Sequence, residues 1–109
     1  MQKYCFTLDL VDGPQLIAGY KRYHQNVWPE IKKSITDAGI INMEIYLPGN
    51  RLFMLMETAA IFSFEKKAEM DAINPKVQEW EKLMWKYQQA LPQAKPGEKW
   101  LLSDKIFQL

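Results

Sequence analysis

Residues 41–58 read INMEIYL-PGN-RLFMLMET, two alternating runs around a three-residue turn. Runs of this kind are strands, and the turn between them makes the pair a hairpin. In the first run Asn42, Glu44 and Tyr46 share one face, while Met43, Ile45 and Leu47 share the other. The second run, residues 51–58, is apolar at most positions on both faces. Such a hairpin needs cover above and below its sheet. The architecture of the whole chain has to provide it.

The remaining elements follow from local pattern. KYCFTLDL, residues 3–10, alternates: Tyr4, Phe6, Leu8 and Leu10 point one way, and Cys5, Thr7 and Asp9 the other. That spacing predicts a first strand. VDGP is a turn, and Pro14 suits the first turn of a helix. Leu16, Tyr20, Tyr23, His24 and Val27 recur at helical spacing. Pro29 interrupts that helix near Asn26–Trp28 and starts a second segment over 29–38, which Gly39 ends. SFEKKAEMDAI, residues 63–73, reads as a helix with Ser63 at its start. Asn74-Pro75 breaks it and opens another over 75–90, with Val77, Trp80, Leu83, Met84 and Tyr87 on one side. LPQAKPGEKW is a proline-containing loop, and KIFQL, residues 105–109, is expected to be a closing strand.

The order is therefore β-α-β-β-α-β, with both helical regions broken by proline. That is the α+β, ferredoxin-like arrangement, a four-stranded antiparallel sheet with helices on one face. The other face stays open in a single copy. Depending on the parity of the strands, Cys5 or Phe6, Leu52 or Phe53, and Ile106 or Phe107 line it. An open apolar face of that size marks an interface. The expectation is a two-fold homodimer, sheet to sheet, in a dimeric α+β barrel.

A chain of 109 residues has room for one core, so residues 1–109 are read as a single domain. Fourteen basic and 13 acidic residues leave a net charge of +1, and no long-range field draws in nucleic acid or an acidic membrane. The single Cys5 has no partner for a disulfide or a zinc site. That fits a reducing compartment, and a cytoplasmic location is expected. No run is long enough for a membrane span, and MQKYCFTLDL lacks the pattern of a signal peptide.

Chemistry centres on GYKRYHQNVWPEI, residues 19–31, which holds the one histidine. Tyr20 and His24 are four apart, hence on one helix face. His24 alone has an ordinary pKa near neutrality and could exchange protons with a bound hydroxyl. The plainer role for it is packing beneath the sheet and satisfying a backbone carbonyl. Metal binding has little support, since one histidine with scattered carboxylates is a poor ligand set. No glycine-rich phosphate loop is present. Cys5 reads as core. In EWEKLMWKY, Trp80, Met84 and Tyr87 fit a core stripe, while Trp85 stands one step off it and faces a cavity or a boundary.

YKRYHQNVWPEIKKSITDAG, then NMEIYL, LFMLME and MWKY, resembles the L-rhamnose mutarotase family, and the likeness runs from Phe6 to the final IFQL. The resemblance implies a cofactor-free dimeric isomerase that interconverts the α and β anomers of 6-deoxy-L-sugars such as L-rhamnose and L-fucose. It implies a proton donor at His24, a sugar-binding phenol at Tyr20, and further sugar contacts at Met43, Met84 and Trp85. The rhamnose pattern has a tyrosine where Met43 stands and a tryptophan where Met84 stands. It also has an Asn-Pro-Asp-Asn-Ser-Pro loop where this chain has QAKPGEKW. Two donors have thus become thioethers, which makes L-fucose a serious candidate substrate. Mutarotation opens and recloses a hemiacetal through a stable carbonyl, so acid–base groups suffice and no metal is required. A helix ending near His24 would favour its imidazolium form. The rival readings on this fold are a cofactor-free monooxygenase or haem-degrading protein, and a ligand-binding regulatory module.

Overall fold

The computed structural model describes residues 1–109. The first strand, β1, spans Gln2–Leu10, and the hairpin consists of β2, Ile40–Tyr46, and β3, Arg51–Thr58. β3 lies between β2 and β1 and is antiparallel to both, with Leu8 opposite Leu52 and Phe6 opposite Met54. The hairpin turn is tied to the end of β1 by two bonds. The Leu10 N–H donates to the Asn50 carbonyl at 2.7 Å, and Asn50 Nδ2 donates to the Leu10 carbonyl at 3.0 Å.

The helices are α1, Pro14–Gln25; α2, Pro29–Asp37; α3, Phe64–Ala72; and α4, Pro75–Trp85. Three of them open on proline, where the missing N–H leaves nothing unpaired. Side-chain caps act at two starts, those of α3 and α4. Ser63 Oγ accepts from the Lys66 N–H at 3.3 Å, and Asn74 Oδ1 accepts from the N–H groups of Lys76 and Val77. Gly39 follows α2 with φ 95°, a conformation that a side chain would strain.

Two expectations about the C-terminal part are corrected. The helix expected over 75–90 stops at Trp85, and Gln88–Gln89 form a short strand, β4, beside the end of β1. Apolar spacing continues through Tyr87, but the exposed edge of β1 competes for the backbone there, and the Val11 N–H donates to the Tyr87 carbonyl at 2.8 Å. The strand expected at 105–109 is not formed. Leu101–Leu102, β5, pairs with β1 instead, Leu102 opposite Phe6. Continuing that register sets Lys105 opposite Lys3 and Phe107 opposite Met1. Two like charges face each other and β1 then ends, so pairing has no gain beyond Ser103. Phe107 is 77% exposed. The strand order β2-β3-β1-β4, with β5 also on β1, keeps the ferredoxin-like topology.

Parity is now settled. Leu8, Leu10, Leu52 and Met56 face the helices and are buried. Leu10 and Leu52 join Tyr20, Ile31, Val77, Trp80 and Met84 in one cluster spanning α1, α2 and α4. Burial of that apolar area is the main term holding the helices to the sheet. Cys5, Phe53 and Leu55 point the other way, and Phe53 and Leu55 are 37% and 44% exposed. No helix is long and apolar enough to cross a membrane.

Candidate active site

Tyr20 and His24 stand one turn apart on α1 with their rings stacked, centroids 4.3 Å apart. Neighbours hold the pair in place. A Cβ at Gly19 would lie 3.0 Å from Tyr87 Cε1, so glycine lets the Tyr87 ring lie close against α1. Tyr87 then meets Tyr20 and Tyr23 with centroids 6.3 and 5.9 Å away. Trp80 of α4 reaches across to His24, Tyr23 and Trp28 with its ring 5.7, 6.2 and 5.0 Å from theirs. Edge-to-face contacts at these separations add to plain burial.

A cavity of about 700 Å³ opens between this aromatic wall and the sheet. Small-molecule sites run roughly 300–1,000 Å³. Tyr20, His24, Met43, Met54, Trp80, Met84, Gln88 and Trp100 line it. Its charged groups are Lys32 of α2, Lys67 and Asp71 of α3, Glu81 of α4, and Lys99. Lys67 and Asp71 pair with each other at 2.7 Å. Lys99 Nζ donates to the Glu81 carbonyl at 3.2 Å, and burial pulls its pKa down.

Burial shifts the two stacked residues in opposite directions. Burial pulls His24 below the ordinary histidine value, against the opposing pull of the Tyr20 carbonyl. His24 Nδ1 is 2.8 Å from that carbonyl oxygen. A carbonyl only accepts, so in the neutral ring Nδ1 carries the hydrogen and Nε2 keeps a lone pair. At neutral pH the imidazole therefore rests as a base. The end of α1 was expected to favour the imidazolium; burial of the ring pulls the other way. Tyr20 is pushed up to about 12 by burial, a hydrogen bond from Gln88 acting the other way. It keeps its hydrogen at neutral pH, so the phenol can donate it to a ligand while its oxygen accepts from Gln88.

The structure brings Tyr20, His24, Met43 and Met84 to one cavity. Trp85 lies outside that lining. It is 41% exposed, with Lys99 Nζ 4.7 Å above its ring. The plain role does not exclude a functional one, since the same ring satisfies a backbone carbonyl and borders the cavity. Sequence reasoning missed Trp80, Gln88 and Trp100 as wall residues. Trp80 had the spacing of core and is also core. Gln88 fell within an expected helix, and Trp100 in a loop without pattern.

Moving a proton within a bound molecule, with no bond made to the protein, is what such a pair can do, and it is the work of an isomerase. The chain belongs to the L-rhamnose mutarotase family, isomerases of sugar anomers, whose model matches residues 3–109. It is 47% identical to an L-fucose mutarotase of Xanthomonas campestris, over all of this chain and 89% of that protein. It is 30% identical to an L-rhamnose mutarotase of Phocaeicola vulgatus, over 88% of this chain and 85% of the relative. A crystal structure of an L-rhamnose mutarotase from Formosa agariphila superposes with a TM-score of 0.74 at 21% identity, covering 100% of this chain and 99% of that one. That likeness establishes the shared fold. The family match decides for the isomerase over the oxygenase reading.

Proposed function

We propose that the substrate is a 6-deoxy-L-hexose, with L-fucose used at least as well as L-rhamnose, and that His24 and Tyr20 carry the proton transfers. The observation that carries this reading is the His24 Nδ1 contact with the Tyr20 carbonyl, which leaves a basic Nε2 beside a protonated phenol. Nε2 takes the anomeric hydroxyl proton as the bond from C1 to the ring oxygen breaks. The electron pair goes to the ring oxygen, and the same imidazolium returns its proton there. Both oxygens sit on one carbon, so a single imidazole can serve both. Tyr20 donates a hydrogen bond to the ring oxygen while charge builds on it. Rotation about C1–C2 and the reverse steps give the other anomer, with no net proton gained or lost.

Specificity rests on Met43 and Met84, which offer apolar contact but no donor. A sugar hydroxyl buried without its partner costs roughly 1–3 kcal/mol. The relative at 47% identity is called an L-fucose mutarotase, which supports the same choice. The open sheet face supports a homodimer, and the chemistry of the single thiol supports a cytoplasmic location.

The test is anomer exchange by NMR on chelator-treated protein with L-fucose, L-rhamnose and several D-sugars. Exchange on the deoxy-L-sugars without added metal is expected. Met43→Tyr with Met84→Trp should move preference towards L-rhamnose by about ten- to a hundredfold. Inactivity on every deoxysugar sinks the reading. An unchanged preference in the double variant removes these two positions from it.

A further inference from the structure

Gln88 is a polar side chain in an apolar wall. It is 8% exposed, it sits in β4 opposite Leu10, and it borders the cavity with Tyr20. Its Nε2 donates to Tyr20 Oη at 3.2 Å. Its Oε1 is enclosed with no partner. Buried acceptors in native proteins are nearly always satisfied, and one that is not calls for an explanation, a role in function among them. A methionine or leucine would fill this volume without an orphaned oxygen.

Hydrogen-bond direction explains the arrangement. A phenol has one hydrogen to give. A neighbour that accepted it, such as a carbonyl or carboxylate, would turn Tyr20 away from a ligand. Gln88 instead offers an N–H to the phenol oxygen, so the hydrogen of Tyr20 stays free. A donor already bound to that oxygen also polarises the O–H outward from it.

We infer that Gln88 is a positioning residue for the reaction: its amide N–H holds the Tyr20 oxygen so that the phenol hydrogen is presented to the sugar ring oxygen. The inference rests on the role proposed above for Tyr20. It carries a second consequence. The fold is keeping an unsatisfied acceptor for the sake of the reaction, so removing the amide should cost activity and not stability.

Steady-state anomer exchange with L-fucose and thermal melting are measured for the parent chain, Tyr20→Phe, Gln88→Met and the double variant. Tyr20→Phe should lower kcat about tenfold, the worth of one hydrogen bond. Gln88→Met should lower kcat by a similar factor and melt at or above the parent temperature. The double variant should be no slower than Tyr20→Phe alone, because both remove the same hydrogen bond. Gln88→Glu supplies an independent arm. Its carboxylate accepts from Tyr20 and reverses the bond, so kcat should fall with the phenol still held.

Full kcat in Gln88→Met or Gln88→Glu, or losses that multiply in the double variant, would overturn the inference. So would a Gln88→Met variant that melts early or does not fold, which would make the amide a structural prop. If Tyr20→Phe exchanges as fast as the parent, the proposed role of Tyr20 has failed. If the parent exchanges no deoxysugar, the proposed substrate class has failed.

Discussion

The two faces of this sheet are built from the same three long strands and have opposite fates. On one, Leu8, Leu10, Leu52 and Met56 are buried, Leu10 and Leu52 within the cluster shared with α1, α2 and α4, and the cavity opens on the same face against Met43, Ile45 and Met54. On the other, Phe53 and Leu55 stand half-exposed, Tyr46 donates to Glu44 at 2.9 Å, and Arg51 Nε bonds Asp9 at 2.7 Å. Strand alternation makes the division, since a residue and its neighbour cannot share a face. The covered face has the dry, shaped surroundings that shift His24 and Tyr20 from their ordinary pKa values. The open face has apolar area to hide and charged groups at its margin, the anatomy of an interface. The proposed chemistry and the proposed dimer interface thus fall on opposite faces, one residue step apart.

The largest effect expected from breaking this division is at His24. His24→Ala should slow exchange by at least about 10²-fold, the scale of one acid–base group, while melting and oligomeric state stay unchanged. A folded, fully active variant would remove His24 from the mechanism. An unfolded one would make it core alone.

Two leucines of β3 on opposite faces give a direct contrast. Leu52→Ala should cost about 2–5 kcal/mol in denaturant unfolding, since it opens a hole in the packed face. Leu55→Ala, three residues on and facing out, should stay within about 1 kcal/mol at low protein concentration. Equal costs would contradict the assignment of faces.

A smaller change is expected from charging the open face. If the proposed dimer forms through this face, Phe53→Glu with Leu55→Glu should leave a folded monomer in sedimentation at micromolar concentration where the parent chain is dimeric. A parent chain that sediments as a monomer throughout would remove the dimer from the account.

Much of the fold was legible because its signals are local. The alternation in 41–58, the prolines at 14, 29 and 75, Ser63 and Asn74 each act within a turn or a strand and need no knowledge of the rest. The Tyr20–His24 pair was legible for the same reason, as a four-residue spacing on one helix. What was not legible depends on distant partners. β4 and β5 are two residues each, too short to show a period, and exist because the far edge of β1 needs covering. The sheet parity was ambiguous because β3 is apolar on both faces. The protonation of His24 turned on burial, which opposes the helix end visible in sequence. Gln88 was missed because a polar residue in an expected helix gives no hint that it will be enclosed beside Tyr20.

The most direct test of the covered face as the seat of chemistry is the pH profile of kcat/KM for anomer exchange, corrected for the reaction in buffer alone. The free-enzyme profile reports the pKa of the essential base. His24 has its folded pKa below 6.5, so the active, neutral form gives way to imidazolium only as pH falls through that lower value. The groups sharing the cavity, Tyr20, Lys32, Lys67, Asp71, Glu81 and Lys99, include no second histidine to add a limb near neutrality. Activity should therefore hold level through neutral pH and decline on the acid side below the ordinary histidine value, and His24→Ala should abolish that limb. Exchange that is strongest in acid and fades as the imidazole loses its proton would contradict the account.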